Sequence, residues 1–139
     1  MLVPTRELAV QVNEVFKLFR NALSDHIRTL AVYGGVSINP QMIAMNGVQI
    51  LVATPGRLLD LIDSKAVHLS NVKTLVLDEA DKMLNMGFKE EMNRILGFLP
   101  KERQNLLFSA TLNPDLDSLS VILMKDPVVI KIESEQTSI

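Results

Sequence analysis

Thr74-Leu75-Val76-Leu77-Asp78-Glu79-Ala80-Asp81 is the stretch that decides the fold. An apolar run stops at three carboxylates within four positions, and Met83, Leu84 and Met86 then follow at helical spacing. Such a pattern describes a buried parallel strand whose carboxyl end delivers acids to a crevice. Asp78 in that place suits hydrated magnesium, which takes one or two carboxylates and keeps most of its waters. Glu79, one residue on, can orient or deprotonate a water that attacks a phosphate. The same residues also allow a structural reading, in which Asp78 caps the next helix while Glu79 and Asp81 complement its dipole. The local pattern leaves both open.

Outward from this stretch, apolar strand-like runs alternate with helical periodicity. Thr5 is a helix N-cap ahead of Leu8, Val12, Val15, Phe16 and Phe19. The apolar stub before Pro4 is too short for a whole strand, which suggests that the chain begins inside an element. Arg28 to Tyr33 is expected to be a strand ending at Gly34-Gly35; Asn39-Pro40 opens a short helix closed by Asn46-Gly47. Gln49 to Ala53 is the next strand, and Thr54-Pro55-Gly56-Arg57 starts a helix at once. After the Asp78 strand come helical segments broken at Gly87, then a strand from Gln104 to Phe108 that runs into Ser109-Ala110-Thr111. A helix opened by Asn113-Pro114, a last strand over Val128 to Ile132 and a polar linker-like tail from Glu133 to Ile139 complete the chain. The alternation predicts an α/β architecture, a mostly parallel sheet with helices on both faces.

Composition narrows the function classes. With 139 residues, 47% of them hydrophobic, one globular domain is expected. The formal charge of -2 gives no broad cationic field, so contact with nucleic acid must come from a few placed cations and backbone N–H groups. No cysteine is present, which excludes disulfides, thiol catalysis and thiolate zinc sites and fits a reducing compartment. His26 and His68 have no ligand spacing and are expected at the surface or in loops. No apolar run approaches a membrane span, and the start lacks the pattern of a signal peptide. These features describe a soluble, cytoplasmic protein.

Ligands of parallel α/β sheets bind outside the strand carboxyl ends, and all the chemically suggestive groups fall there. Thr5-Arg6, Gly34-Gly35 and Thr54-Pro55-Gly56-Arg57 combine hydroxyls, guanidinium groups, glycines and helix starts, which suits phosphate oxygens. Taken singly, the glycines could merely shape a turn and Thr54-Pro55 merely start a helix. With no tryptophan and one tyrosine, base stacking is disfavoured, and contacts limited to phosphate and sugar give weak sequence preference. Ser109 and Thr111 either hydrogen-bond a neighbouring carboxylate, with Asp81 the candidate, or cap locally before Asn113-Pro114.

In this order and at these spacings, Pro4-Thr5-Arg6-Glu7-Leu8, Gly34-Gly35, Thr54-Pro55-Gly56-Arg57, Asp78-Glu79-Ala80-Asp81 and Ser109-Ala110-Thr111 resemble the first RecA-like domain of DEAD-box RNA helicases. The flanks Gly34 to Gln41 and Arg103 to Phe108 look most like the bacterial RhlE-type subgroup. The resemblance implies a P-loop NTPase-type RecA-like fold, incomplete at its N-terminus, over residues 1–132, with 133–139 starting an interdomain linker. It implies ATP and magnesium as cofactors, Asp78 holding magnesium through water, and Glu79 positioning the water that attacks the γ-phosphate. Asp81, Ser109 and Thr111 would couple nucleotide state to RNA unwinding. Thr5, Arg6, Gly34, Gly35, Thr54, Gly56 and Arg57 would hold the RNA sugar-phosphate backbone, with the helix after Thr54 acting as a wedge.

Neither an adenine-reading glutamine motif nor a P-loop is found, since Gly34-Gly35 and Gly56-Arg57 both lack the lysine that a phosphate loop needs. The second RecA-like domain, the expected partner in the same chain, is not in the sequence either. An internal fragment is therefore expected, inactive alone, with an unpaired sheet edge and an exposed apolar slot beside the strand ending at Ser109. Two further readings compete: a non-catalytic module that binds RNA or a partner through the motif-bearing edge, and a receiver-like domain with Asp78 as phosphoacceptor and Thr111 as switch hydroxyl.

Overall fold

The computed structural model describes residues 1–23 and 26–132. Four short strands run parallel: β1 (Thr29–Val32), β2 (Ile50–Ala53), β3 (Thr74–Leu77) and β4 (Gln104–Leu107). Val32 lies opposite Ala53 in the first pair, and Leu77 opposite Leu107 in the second. What joins the pairs is the N-terminal stub. Leu2 bridges in parallel to both Ala53 and Leu77. The Val3 amide donates to the Ala53 carbonyl at 3.0 Å, and the Leu2 amide to the Val76 carbonyl at 2.8 Å. Return bonds run from the Ala53 amide to the Met1 carbonyl and from the Asp78 amide to the Leu2 carbonyl. The residues too few to make a strand alone thus form the middle rung of one parallel sheet, in the order β1, β2, Met1–Val3, β3, β4.

Helices fill the connections: α1 (Arg6–Leu23), α2 (Asn39–Ala44), α3 (Pro55–Asp63), α4 (Ala80–Asn85), α5 (Lys89–Gly97) and α6 (Pro114–Leu123). Their ends follow local chemistry. The Thr5 hydroxyl accepts from the Leu8 amide at 3.2 Å and starts α1, and Asn113 Oδ1 accepts from the Leu116 amide at 2.8 Å and starts α6. Gly87, at φ 85°, adopts the left-handed conformation that separates α4 from α5.

Strand alternation sorts the core onto two faces. On one, Val3, Val52 and Ala31 meet Ala9, Val12 and Phe16 of α1. On the other, Leu2, Val32, Ala53, Leu75 and Leu77 meet apolar side chains from α2 through α6, including Met42, Leu61, Met83, Ile95 and Leu119. Both His26 and His68 are exposed.

One expected element is not formed. Among the described residues Val128 to Ile132 has no strand partner, and Val128, Ile130 and Ile132 are exposed by 88%, 82% and 92%. A strand exists only with a hydrogen-bonding neighbour, and Asp126, at φ 47°, turns the chain just before this segment. Apolar alternation alone could not supply the partner. The outer side of β4 has no neighbour among the described residues either, and Leu106 and Phe108 there are exposed. The tail from Glu133 lies outside the described residues. No helix among them is long and apolar enough to cross a membrane.

Candidate functional site

Every residue singled out above sits at the carboxyl edge of the sheet or in the first turn that follows it. Asp78 and Glu79 leave β3, Asp81 opens α4, and Ser109 and Thr111 follow β4. Across the Met1–Val3 rung, Thr5 and Arg6 start α1, Gly34 and Gly35 follow β1, and Thr54, Gly56 and Arg57 form the turn from β2 into α3. The sheet therefore separates two chemistries, acids over β3 and β4 and phosphate-suited groups over β1 and β2.

The acidic half is tightly tied. The Phe108 amide donates to the Leu77 carbonyl and the Ala80 amide to the Phe108 carbonyl, which clips the turn at Asp78-Glu79 to the neighbouring strand. Asp78 Oδ1 accepts from the Glu79 amide at 2.9 Å, so Asp78 braces its own turn rather than capping α4. Its carboxylate is half-buried with acceptor capacity to spare, and the Glu79 carboxylate makes no hydrogen bond or ion pair among the described residues. Glu79 holds φ 52°, a left-handed conformation that costs a non-glycine residue on the order of 1 kcal/mol. No cluster of three or more potential metal ligands exists among the described residues. That donor set fits magnesium held mainly by water and by phosphate, and does not fit an all-protein metal cage.

Asp81 is buried, at 8% exposure, yet its carboxylate is well supplied with donors. The Thr111 hydroxyl donates at 2.7 Å and the Thr111 amide at 3.2 Å, both to Oδ2. The Ser109 hydroxyl donates to the Thr111 carbonyl at 2.7 Å and stiffens the turn that presents Thr111. Burial pushes the Asp81 carboxyl up, but the Thr111 hydroxyl and the Lys82 and Thr111 amides together outweigh it. The group is held below the ordinary aspartate range. Of the two readings of Ser109-Ala110-Thr111, the link to Asp81 is made by Thr111 alone, Ser109 bonding the Thr111 carbonyl instead; the cap on α6 comes from Asn113.

On the other half, the Arg6 guanidinium lies 4.9 Å from the centroid of the Tyr33 ring. Gly35 has φ 80°, and a Cβ added at Gly34, Gly35 or Gly56 would meet nothing within 4 Å, so the space in front of each is open. Thr54 is extended and its hydroxyl makes no capping bond, unlike that of Thr5. Arg57 differs from Arg6. Its side chain is 10% exposed, with Nη2 donating to the Val36 carbonyl at 2.8 Å and Nη1 to Gln41 Oε1 at 3.1 Å. Gln41 in turn donates to the Tyr33 carbonyl at 3.1 Å. Sequence reasoning missed Tyr33 and Gln41. The available signal was Gln41 itself, a polar residue at core-facing spacing with Ile38, Met42 and Met45.

A family model described as "DEAD/DEAH box helicase" matches residues 1–119. The chain belongs to this family. Among curated members, the DEAD-box ATP-dependent RNA helicase CshA of Streptococcus pneumoniae serotype 4 is 48% identical over 137 residues, 98% of this chain and 26% of that protein. Among solved structures, the yeast DEAD-box splicing factor Prp28 superposes with a TM-score of 0.82 at 32% identity, covering 96% of this chain and 33% of that one. A DEAD box protein from the hyperthermophile Methanococcus jannaschii gives 0.81 at 42% identity, covering 90% and 34%. The chain thus spans about a quarter of the length of the curated DEAD-box relative, and its α/β fold is that of DEAD-box RecA-like domains. Membership in the family displaces the receiver-like reading of Asp78.

Proposed function

We propose that this chain is the part of an ATP-dependent RNA helicase that carries the acids of ATP hydrolysis and one half of an RNA-backbone track. The observation that carries the reading is the shared sheet edge, where Asp78, Glu79 and the Asp81–Thr111 bond stand beside an open, glycine-lined, cation-bearing surface. Residues 1–132 are read as partial RecA-like helicase domain 1 and 133–139 as the start of a linker to a second such domain, its partner in the same chain. A cytoplasmic location goes with this reading.

Asp78 would hold magnesium through water, and Glu79, with its carboxylate unengaged, would orient and deprotonate the attacking water. Bound magnesium supplies charge neutralisation on the phosphates. Asp81, fixed by Thr111 and braced by Ser109, would report the nucleotide's state to the adjoining elements. Thr5, Arg6, Gly34, Gly35, Thr54, Gly56 and Arg57 form the RNA half. The glycines let a phosphate approach the backbone, Thr54 offers a free hydroxyl, and Arg6 offers an exposed cation. For the subgroup, the RhlE-type likeness rests on the flanks of two motifs, whereas the relative named above is a CshA protein, so we read the chain as CshA-like.

The test is made in the parent helicase. Glu79→Gln is expected to lower RNA-stimulated ATP hydrolysis by about 10²-fold or more while ATP and RNA still bind. Hydrolysis that survives this change would remove Glu79 from the chemistry. The 139-residue chain alone is expected not to turn over ATP, because it contains no lysine-bearing phosphate loop. The phosphate-suited edge is nevertheless formed, which favours a second reading, a non-catalytic RNA-binding unit. A titration with single-stranded RNA at low salt decides it, and absence of binding rejects it.

A further inference from the structure

We propose that Arg57 and Gln41 form a clamp that shapes the Gly34-Gly35 loop, making Arg57 a positioning residue rather than a phosphate ligand. The inference rests on the RNA-track reading for its purpose and on the hydrogen bonds alone for its geometry. Gly34, Gly35 and Val36 are exposed, and two of the three lack side chains, so packing cannot define the loop. Two hydrogen bonds bracket it. Gln41 Nε2 fixes the Tyr33 carbonyl immediately before the glycines, and Arg57 Nη2 fixes the Val36 carbonyl immediately after them. Arg57 Nη1 closes the circuit on Gln41 Oε1, so both ends of the Gln41 amide are used.

Peptide planarity turns this into a statement about donors. In a trans peptide the N–H points opposite to the C=O of the preceding residue. Fixing the Tyr33 and Val36 carbonyls on the clamp therefore aims the Gly34 and Ser37 amides away from it. Neither amide donates a hydrogen bond among the described residues. Two oriented, unengaged N–H groups flanking an open glycine surface make a fitting cradle for a phosphate oxygen, by the same logic as other backbone anion sites. The forked guanidinium is what the clamp requires, because one donor must reach Val36 while another reaches Gln41. A lysine ammonium keeps the charge and loses that geometry. Tyr33 joins the system a second time, since its ring lies against Arg6 and ties the exposed cation to the same strand end.

Backbone ¹⁵N order parameters of the RNA-free 139-residue chain test the clamp. In wild type, Gly34 to Ser37 should be as ordered as β1, about 0.85. In Gln41→Ala and in Arg57→Lys they should fall below about 0.6 while β1 and β2 stay unchanged. Unchanged values in both variants would overturn the proposal. Titration with single-stranded oligouridylate across salt concentrations tests the role. Arg6→Ala should reduce the slope of log affinity against log salt by about 0.7, the release expected for one phosphate contact. Arg57→Ala should weaken binding about tenfold with the slope unchanged, and Arg57→Lys should not rescue it. A slope lowered as in Arg6→Ala, with rescue by lysine, would make Arg57 a phosphate ligand and overturn the assignment. If wild type binds no RNA, the reading of the chain alone as an RNA-binding unit fails, and the order parameters still judge the clamp.

Discussion

Two opposing effects act on the Asp81 carboxylate, and their outcome can be measured. Burial raises its affinity for a proton, and the donors led by the Thr111 hydroxyl lower it further than burial raises it. A carboxyl held below its unfolded value stabilises the fold at pH above the ordinary aspartate range. That contribution is lost as pH falls through the folded value. Thr111→Val removes the hydroxyl donor and leaves burial less opposed. The Asp81 midpoint, followed by carboxyl ¹³C shifts, should then rise, and the acid unfolding limb should move to higher pH; a midpoint that stays put would show that the amides alone hold the charge. Glu79 offers the opposite case, a strained residue. Glu79→Gly should stabilise the chain slightly, by up to about 0.5 kcal/mol in urea unfolding, since relief of the left-handed conformation exceeds glycine's added freedom in the unfolded state. A loss of stability would mean that the side chain does more for the turn than its absence of partners suggests.

At the scale of elements, the edge positions were legible because each strand ends on a chemical break that only one geometry explains. The acids after β3, the glycines after β1 and the Thr-Pro step after β2 all announced where the strands stop. Helix starts were legible for the same reason, although Thr5 and Asn113 cap with their side chains while Thr54 does not. Pairing was not legible. Val128 to Ile132 has the residues of a strand but no strand partner among the described residues, and Met1–Val3 has too few residues and two neighbours. A sequence states a segment's preference, whereas a sheet depends on what lies beside it. The clamp was hidden likewise, because Arg57 looks like a phosphate ligand until Gln41 is seen against it. Leu2, 1% exposed at the middle of the sheet, should be the most sensitive position of its element. Leu2→Ala is expected to cost about 2–5 kcal/mol by denaturant titration, against less than about 1 kcal/mol for Ile43→Ala on the exposed side of α2.

For the whole molecule, the outer side of β4 and the apolar segment Val128-Val129-Ile130 have no strand partner among the described residues, and their side chains are exposed. Such surfaces associate. The 139-residue chain should bind a hydrophobic reporter dye and show concentration-dependent association in sedimentation. Val128→Lys with Ile130→Lys should reduce both, and a dye-silent monomer would show that these surfaces are covered in solution. The central rung also bears on how the molecule folds. Met1–Val3 can settle only after β2 and β3 exist to receive it, although β3 begins at Thr74. Its contacts are among the longest in sequence that the fold makes, and closing such loops slows folding. The two outer strand pairs close shorter loops than the central rung does, so the middle of the sheet is expected to be completed last.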